Sequence, residues 1–227
     1  MRVINGVAVR DTLEELVDPR AAALVVIDVQ NDFCHGDGHF AKHGKDLSSI
    51  QAIVPGVVRF VSRAQALGVR TFFARQTTLP NGRSDSPAWL RFKCRDGKSP
   101  NYTLRGSWGW ELVEGLNVGP NDWEIEKFRP DVFVGTSIDG LLRANGVESV
   151  VMLGTTTEGC VESSVRGASY HDYYVVLVRD LVASPNRVQH EGAMRLFEAR
   201  YPLATADEIL AVWEKATIAR HSTRAAE

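Results

Sequence analysis

Cysteine is scarce. The chain has three in 227 residues, Cys34, Cys94 and Cys160, with no C-x-x-C spacing. A small odd number excludes a disulfide framework and a zinc ribbon, and free thiols fit a reducing compartment. Long apolar runs are missing too: none approaches the roughly 18 residues of a membrane span. The N-terminus, MRVINGVAVRDTLEELVD, has acids where a secretory leader has its apolar core, so the expectation is a cytoplasmic protein with no membrane partner. Neither charge sign is in excess. The net charge of -2 gives no argument for a nucleic-acid partner. There is no internal repeat, no low-complexity tract and no HExxH. No G-x-G-x-x-G follows the first strand, which argues against dinucleotide binding. His35, His39 and His43 recur every four residues, but Gly36, Gly38 and Gly44 make that segment read as a loop rather than a metal-binding helix face.

What is present is an ordinary globular composition, 44% hydrophobic and 24% charged, and a length that suggests one domain over residues 1–227. AAALVVIDVQ (21–30) is a continuous apolar run ending in Asp28, as a strand buried on both faces should be. Apolar spacing predicts a helix over 47–68, a strand over 69–77, and a polar loop or lid over 78–110. A short helix is predicted over 109–116, then a strand over 122–128 ending near Lys127. Further along come a helix (136–146), a strand (147–154), a helix (160–173), a strand (174–180) and a helix (187–201). Strands and helices that alternate across short loops imply an α/β fold: a three-layer α-β-α arrangement around a mostly parallel sheet. Ligands in such sheets bind beyond the carboxyl ends of the strands. Asp28, Lys127 and Cys160 all fall at or just past such ends.

These residue types suit thiolate attack on a carbonyl. A cysteine in the first turn of a helix feels the positive end of the helix dipole, and a nearby lysine acts in the same direction, so a lowered thiol pKa is expected. A carboxylate can take the thiol proton and return it to a leaving group. Each residue also admits a plainer role. Cys160 could be a small core residue, Asp28 a turn cap, and Lys127 a solvated strand end. Their coincidence at one sheet edge weakens all three plain readings.

Three segments carry a resemblance to a known family. ALVVIDVQNDFCHGDG, IEKFRPDVFVGTSIDGLLRANGVESVVMLG and GTTTEGCVESS occur in that order, and the match spans most of residues 20–200. They resemble the first-strand, lysine-strand and nucleophile-turn motifs of the isochorismatase-like cysteine hydrolases. The resemblance implies Cys160 as nucleophile, Asp28 as general base and acid, and Lys127 as the residue that tunes the thiol and orients Asp28. It also implies a cis peptide at Thr155–Thr156, the amides of Thr156 and Cys160 as an oxyanion hole, and a structural role for Thr157. Glu158 and Gly159 depart from the family pattern, which has Asn or Asp followed by an apolar residue. The glycine would either admit substrate closely or relax the turn.

Because Cys160 is present, the resemblance implies C–N hydrolysis rather than vinyl-ether cleavage. No histidine lies between His43 and His171, where nicotinamidases of the family carry metal ligands, so no metal and no cofactor is expected. The implied substrates are small ureides, carbamoyl compounds or amides such as biuret, triuret, ureidoacrylate or N-carbamoyl amino acids. A maleamate- or nicotinamide-type amidase, or a non-catalytic ligand-binding member, is the alternative. LRGSWGWELVEGL (104–116) resembles ureidoacrylate and biuret hydrolases. Candidate substrate contacts are Phe33, Arg75, Trp108, Trp110 and Thr155. The lid's Arg83, Arg91, Lys93, Arg95, Lys98 and Arg105, against Asp85 and Asp96, would suit a substrate carboxylate, or would simply be solvated or face another subunit. The resemblance and the long lid imply a homodimer or homotetramer.

Overall fold

The computed structural model describes residues 1–95, 97 and 99–224, and for residues 220–224 the helical backbone alone. A small antiparallel hairpin, β1 (Arg2–Ile4) and β2 (Val7–Val9), precedes helix α1 (Leu13–Leu16). The central strands are β3 (Ala22–Ile27), β4 (Arg70–Gln76), β5 (Trp123–Lys127), β6 (Ser149–Thr155), β7 (Tyr174–Ala183) and β8 (Leu203–Ala204). They pair in the order β5-β4-β3-β6-β7-β8, every pair parallel. The remaining helices are α2 (Asn31–Cys34), α3 (His39–Lys42), α4 (Ser48–Ala66), α5 (Pro87–Lys93), α6 (Ile138–Ala144), α7 (Glu162–Tyr170), α8 (Arg187–Glu198) and α9 (Ala206–Arg224). No helix among the described residues is long and apolar enough to cross a membrane.

The apolar run of β3 explains the layering. Successive side chains point to opposite faces. Leu24 and Val26 join a core with α1, α4 and α9, which includes Leu16, Phe60 and Trp213. Ala23, Val25 and Ile27 join a second core with α6, α7 and α8, which includes Leu142, Val165 and Phe197. Both faces are therefore dry, and the strand carries no polar residue until Asp28. This is the expected α-β-α sandwich. The chain starts in the middle of the sheet, builds outward through β4 and β5, then crosses back to build β6, β7 and β8. The direction reverses between β3 and β6, which is where a crevice opens in such sheets.

Three local expectations need correction. The helix expected over 109–116 is a single 3-10 turn, Trp108–Trp110. Its carbonyls are taken from outside: Gln30 Nε2 donates to the Trp110 carbonyl at 2.8 Å and Asn31 Nδ2 to the Trp108 carbonyl at 2.9 Å. The following backbone pairs with the segment after β3, Asn31 N to Glu111 O at 3.0 Å and Val113 N to Val29 O at 3.1 Å. Conversely, the histidine segment read as a loop contains the helical turn α3. Gly38 is there for packing rather than freedom, because a Cβ on it would lie 2.2 Å from the Asn31 carbonyl. The polar 78–110 stretch contains α5, whose start is capped by Ser86 Oγ accepting from Trp89 N at 3.2 Å, with Pro87 in its first turn.

Candidate active site

Asp28 follows the last residue of β3 and takes a positive φ of 52°, a conformation that aspartate tolerates better than most residues. Its carboxylate, fully buried, turns toward β4. Oδ1 accepts from the Gln76 amide at 2.8 Å, and Oδ2 forms an ion pair with Lys127 Nζ at 2.7 Å. Lys127 ends β5, which lies beyond β4 from β3. Its side chain, also fully buried, therefore crosses Gln76, its register partner, to reach Asp28. Lys127 Nζ donates to Gln76 Oε1 at 3.0 Å and to the Arg129 carbonyl at 3.3 Å. Gln30 closes the set: its Oε1 accepts from Gln76 N at 2.9 Å, and its Nε2 donates to Gln76 O at 3.1 Å.

Cys160 arrives from β6, across the reversal point. It lies in a wide helical turn, Thr157–Val161, that leads directly into α7. The Thr155–Thr156 peptide before it is cis. Thr155 Oγ1 donates to the Asp28 carbonyl at 3.0 Å and so ties the ends of β6 and β3. Thr157 Oγ1 meets His190 Nδ1 of α8 at 2.8 Å. Gly159 lies in the wall of the cavity over this site, and its hydrogen side chain also faces Thr156. A Cβ there would lie 2.6 Å from Thr156 Oγ1, so the glycine makes room for the threonine side chain.

The Cys160 thiol interacts with both Asp28 and Lys127. Its surroundings push its pKa up, not down: burial comes first and the Asp28 charge second, and Lys127 only partly opposes them. The expected lowering by lysine and helix end is thereby overturned. Asp28 is also raised, by burial, against the pull of Lys127. Burial alone would lower Lys127, but the Asp28 charge and Cys160 outweigh it, and the ammonium is held raised. The Asp28–Lys127 pair, closed at 2.7 Å, thus stands beside a thiol whose proton is held more tightly than usual.

A cavity of 360 Å³ opens over these groups. Asp28, Gln76, Thr155, Thr156 and Cys160 lie in its wall. Phe33 is there as expected, its ring 4.9 Å from Phe40 and 5.9 Å from Tyr102. The other three substrate-contact candidates lie elsewhere. Arg75 shares a face of β4 with Phe73, away from Gln76; it pairs with Glu124 at 2.5 Å and lies over the Trp110 ring at 4.4 Å. Trp110 donates from Nε1 to Thr77 Oγ1 at 2.8 Å. Trp108 is largely exposed and packs edge-on against His35. The sequence showed that Arg75 sits near a strand end but not which way it faces. Period-two parity from the buried Ala74 picks out Gln76 instead.

The lid cations mostly take the plain reading. Lys93 is buried against Asp85 at 3.1 Å and donates to Thr78 Oγ1 at 3.1 Å. Arg105 pairs with Glu126, and Arg83 and Arg91 are exposed away from the cavity. Arg95 does line it. Asp96 and Lys98 lie outside the described residues. His39 and His43 stack at 3.9 Å and also line the cavity, whereas His35 points elsewhere. Among the described residues, no three His, Cys, Asp or Glu side chains form a group that could hold a metal ion.

A parallel sheet whose strand order reverses beside a thiol, a carboxylate and an ammonium defines a three-layer α-β-α hydrolase by its fold and by the groups it gathers. The family follows from comparison: an isochorismatase domain model matches residues 22–208, and the chain belongs to that family, as its three motifs implied. It is 30% identical over 193 residues to a ureidoacrylate amidohydrolase of Methylorubrum extorquens, covering 80% of this chain and 77% of that protein. Among solved structures, a cysteine hydrolase from Pseudomonas syringae pv. phaseolicola superposes with a TM-score of 0.75 at 22% identity, over 87% of this chain and 94% of that one. An isochorismatase family protein from Desulfovibrio vulgaris gives 0.72 at 25% identity, over 85% and 99%.

Proposed function

We propose that the protein is a cysteine amidohydrolase that cleaves a C–N bond of a small ureide, carbamoyl compound or amide without a metal. The observation that carries this reading is the meeting of the Cys160 thiol with the buried Asp28–Lys127 pair at the wall of a cavity large enough for a small substrate. The ureidoacrylate amidohydrolases among its relatives support the same reaction class.

The reaction runs as follows. Asp28 takes the thiol proton as the sulfur adds to the carbonyl carbon. Lys127 keeps a positive charge beside both groups throughout. The amides of Thr156 and Cys160 donate to the oxygen that becomes negative, and one such donor is commonly worth ~3 kcal/mol of transition-state stabilisation. The proton on Asp28 passes to the leaving nitrogen, the C–N bond breaks and ammonia departs. Asp28 then deprotonates water, which attacks the acyl-sulfur carbon. The C–S bond breaks, the thiol regains its proton, and a carboxylate or carbamate is released. Because the resting thiol is neutral, sulfur deprotonation and carbon attack are coupled, and no standing thiolate is exposed to oxidants.

The test is ammonia release across biuret, triuret, ureidoacrylate, N-carbamoyl amino acids, maleamate and nicotinamide, with Cys160→Ser as control. Release from at least one ureide or amide, abolished in the variant, is the expected result. No release from any substrate, or full activity in the variant, overturns the reading.

A further inference from the structure

Apart from Asp28 Oδ2, which is ion-paired with Lys127, three buried polar atoms of residues lining this cavity have no hydrogen-bond partner among the described residues: Gln76 Nε2, Trp89 Nε1 and Glu158 Oε2. Two are donors and one is an acceptor. The orientation of the Gln76 amide is fixed, because its Oε1 must face the Lys127 ammonium at 3.0 Å, which leaves the NH₂ end unmatched. Glu158 is fixed in the same way. Its Oε1 accepts from Ser184 Oγ at 2.8 Å, and Ser184 is itself held by Asn186 N at 3.1 Å. The other oxygen of that carboxylate is buried and empty-handed, two residues before Cys160. An unmatched buried polar group is costly, more so when charged, so a ligand that satisfies it is selected over one that does not. Glu158 is also a point where the nucleophile turn departs from its family pattern.

We propose that Glu158 is a substrate-binding, specificity-determining residue: its free carboxylate oxygen accepts a hydrogen bond from an N–H flanking the scissile carbonyl. The donors Gln76 and Trp89 take substrate oxygens other than the one held by the Thr156 and Cys160 amides. The cavity thus demands a planar group that offers N–H and C=O together, as amides and ureides do. Esters and vinyl ethers offer acceptors only and leave Glu158 unmatched. This assignment rests on the amidohydrolase reading and specifies the substrate's hydrogen-bonding complement.

The experiment measures kcat/KM for the amide and the methyl ester of one acid, the acid chosen from the substrate panel, in the parent protein, Glu158→Leu and Glu158→Gln. Thermal denaturation of each checks folding. Glu158→Leu is expected to lower the amide value about 10–100-fold, the size of one hydrogen bond to a charged group, while changing the ester value less than about threefold. Glu158→Gln keeps an acceptor, and Ser184 Oγ can accept from its NH₂, so it should recover most of the amide activity. Equal losses on amide and ester, or no loss on either, overturn the assignment while leaving the amidohydrolase reading intact. A parent protein that releases no ammonia from any substrate overturns that reading and this assignment with it.

Discussion

Lys127 Nζ stands 2.7 Å from Asp28 Oδ2 with both side chains withdrawn from solvent, although 99 residues and an intervening strand separate them. The pair is held by Gln76, which gives its amide N–H to the carboxylate and its side-chain oxygen to the ammonium. A buried ion pair is poor evidence of stability, because desolvation offsets most of the attraction. Removing one partner, however, strands the other. The pair is better understood as a device that keeps one negative and one positive charge beside a sulfur.

Replacing Lys127 with Met should therefore destabilise the fold by about 3–5 kcal/mol and abolish ammonia release. Adding Asp28→Asn removes the stranded charge, so the double variant should be more stable than Lys127→Met alone. Urea denaturation of the three proteins measures this, and a double variant no more stable than the single one would contradict it.

Asp28→Asn should separate thiol reactivity from turnover. The Asp28 charge is one of the two leading causes that raise the Cys160 thiol, and Lys127 opposes it. With the carboxylate gone and the lysine kept, the thiol pKa falls. Iodoacetamide should then label Cys160 faster than in the parent protein at pH 8, while ammonia release is lost. In the parent, labelling should still be rising above pH 9. A labelling rate that is flat from pH 7 upward would show a standing thiolate and refute this account.

Gly159→Ala should cost about 1–3 kcal/mol, the range of overpacking, because the new methyl meets Thr156 Oγ1 at 2.6 Å. Thr156→Ala removes that oxygen. The pair should show a coupling energy in a double-mutant cycle read by thermal denaturation. Strict additivity would mean that the glycine serves something else.

Alkaline stability should report the buried Cys34 thiol. Cys34, held under the same strand ends, is pushed up to about 12, first by burial, with the Asp28 charge adding to it. A folded-state pKa above the unfolded one, about 8.5 for a free cysteine, means that the folded protein keeps protons that the unfolded chain releases. The stabilisation is complete below the unfolded pKa and is lost as pH rises toward the folded one, at up to about 1.4 kcal/mol per pH unit for this thiol. The melting temperature should fall between pH 9 and 11, and Cys34→Ala should make that slope shallower. An unchanged slope would show that Cys34 does not contribute.

Much of this molecule is local, and its sequence reports it. The unbroken apolar run of β3 requires two buried faces, and the alternation with helical spacing requires a parallel sheet. The ends of those runs then put Asp28, Lys127 and Cys160 at one edge. The motif order was sufficient for the family. What was illegible depended on partners distant in sequence. The 109–116 segment has helix-like spacing, yet Gln30 and Asn31 capture its carbonyls. Arg75 and Gln76 are neighbours at one strand end, and only the facing of the sheet sends Gln76 to the site and Arg75 to Trp110.

The sign of the thiol's shift was decided by the tertiary structure alone. Sequence shows that a cysteine opens a helix and that a lysine ends a strand, and both facts argue for a lowered pKa. How deeply the sulfur is enclosed, and that a carboxylate is enclosed with it, depends on chains packing across the reversal between β3 and β6. Desolvation grows with that packing, and it outweighs a helix end and a single ammonium. Residue pattern alone therefore specified which groups meet, and the folded interior specified in which direction burial and neighbouring charge shift the thiol.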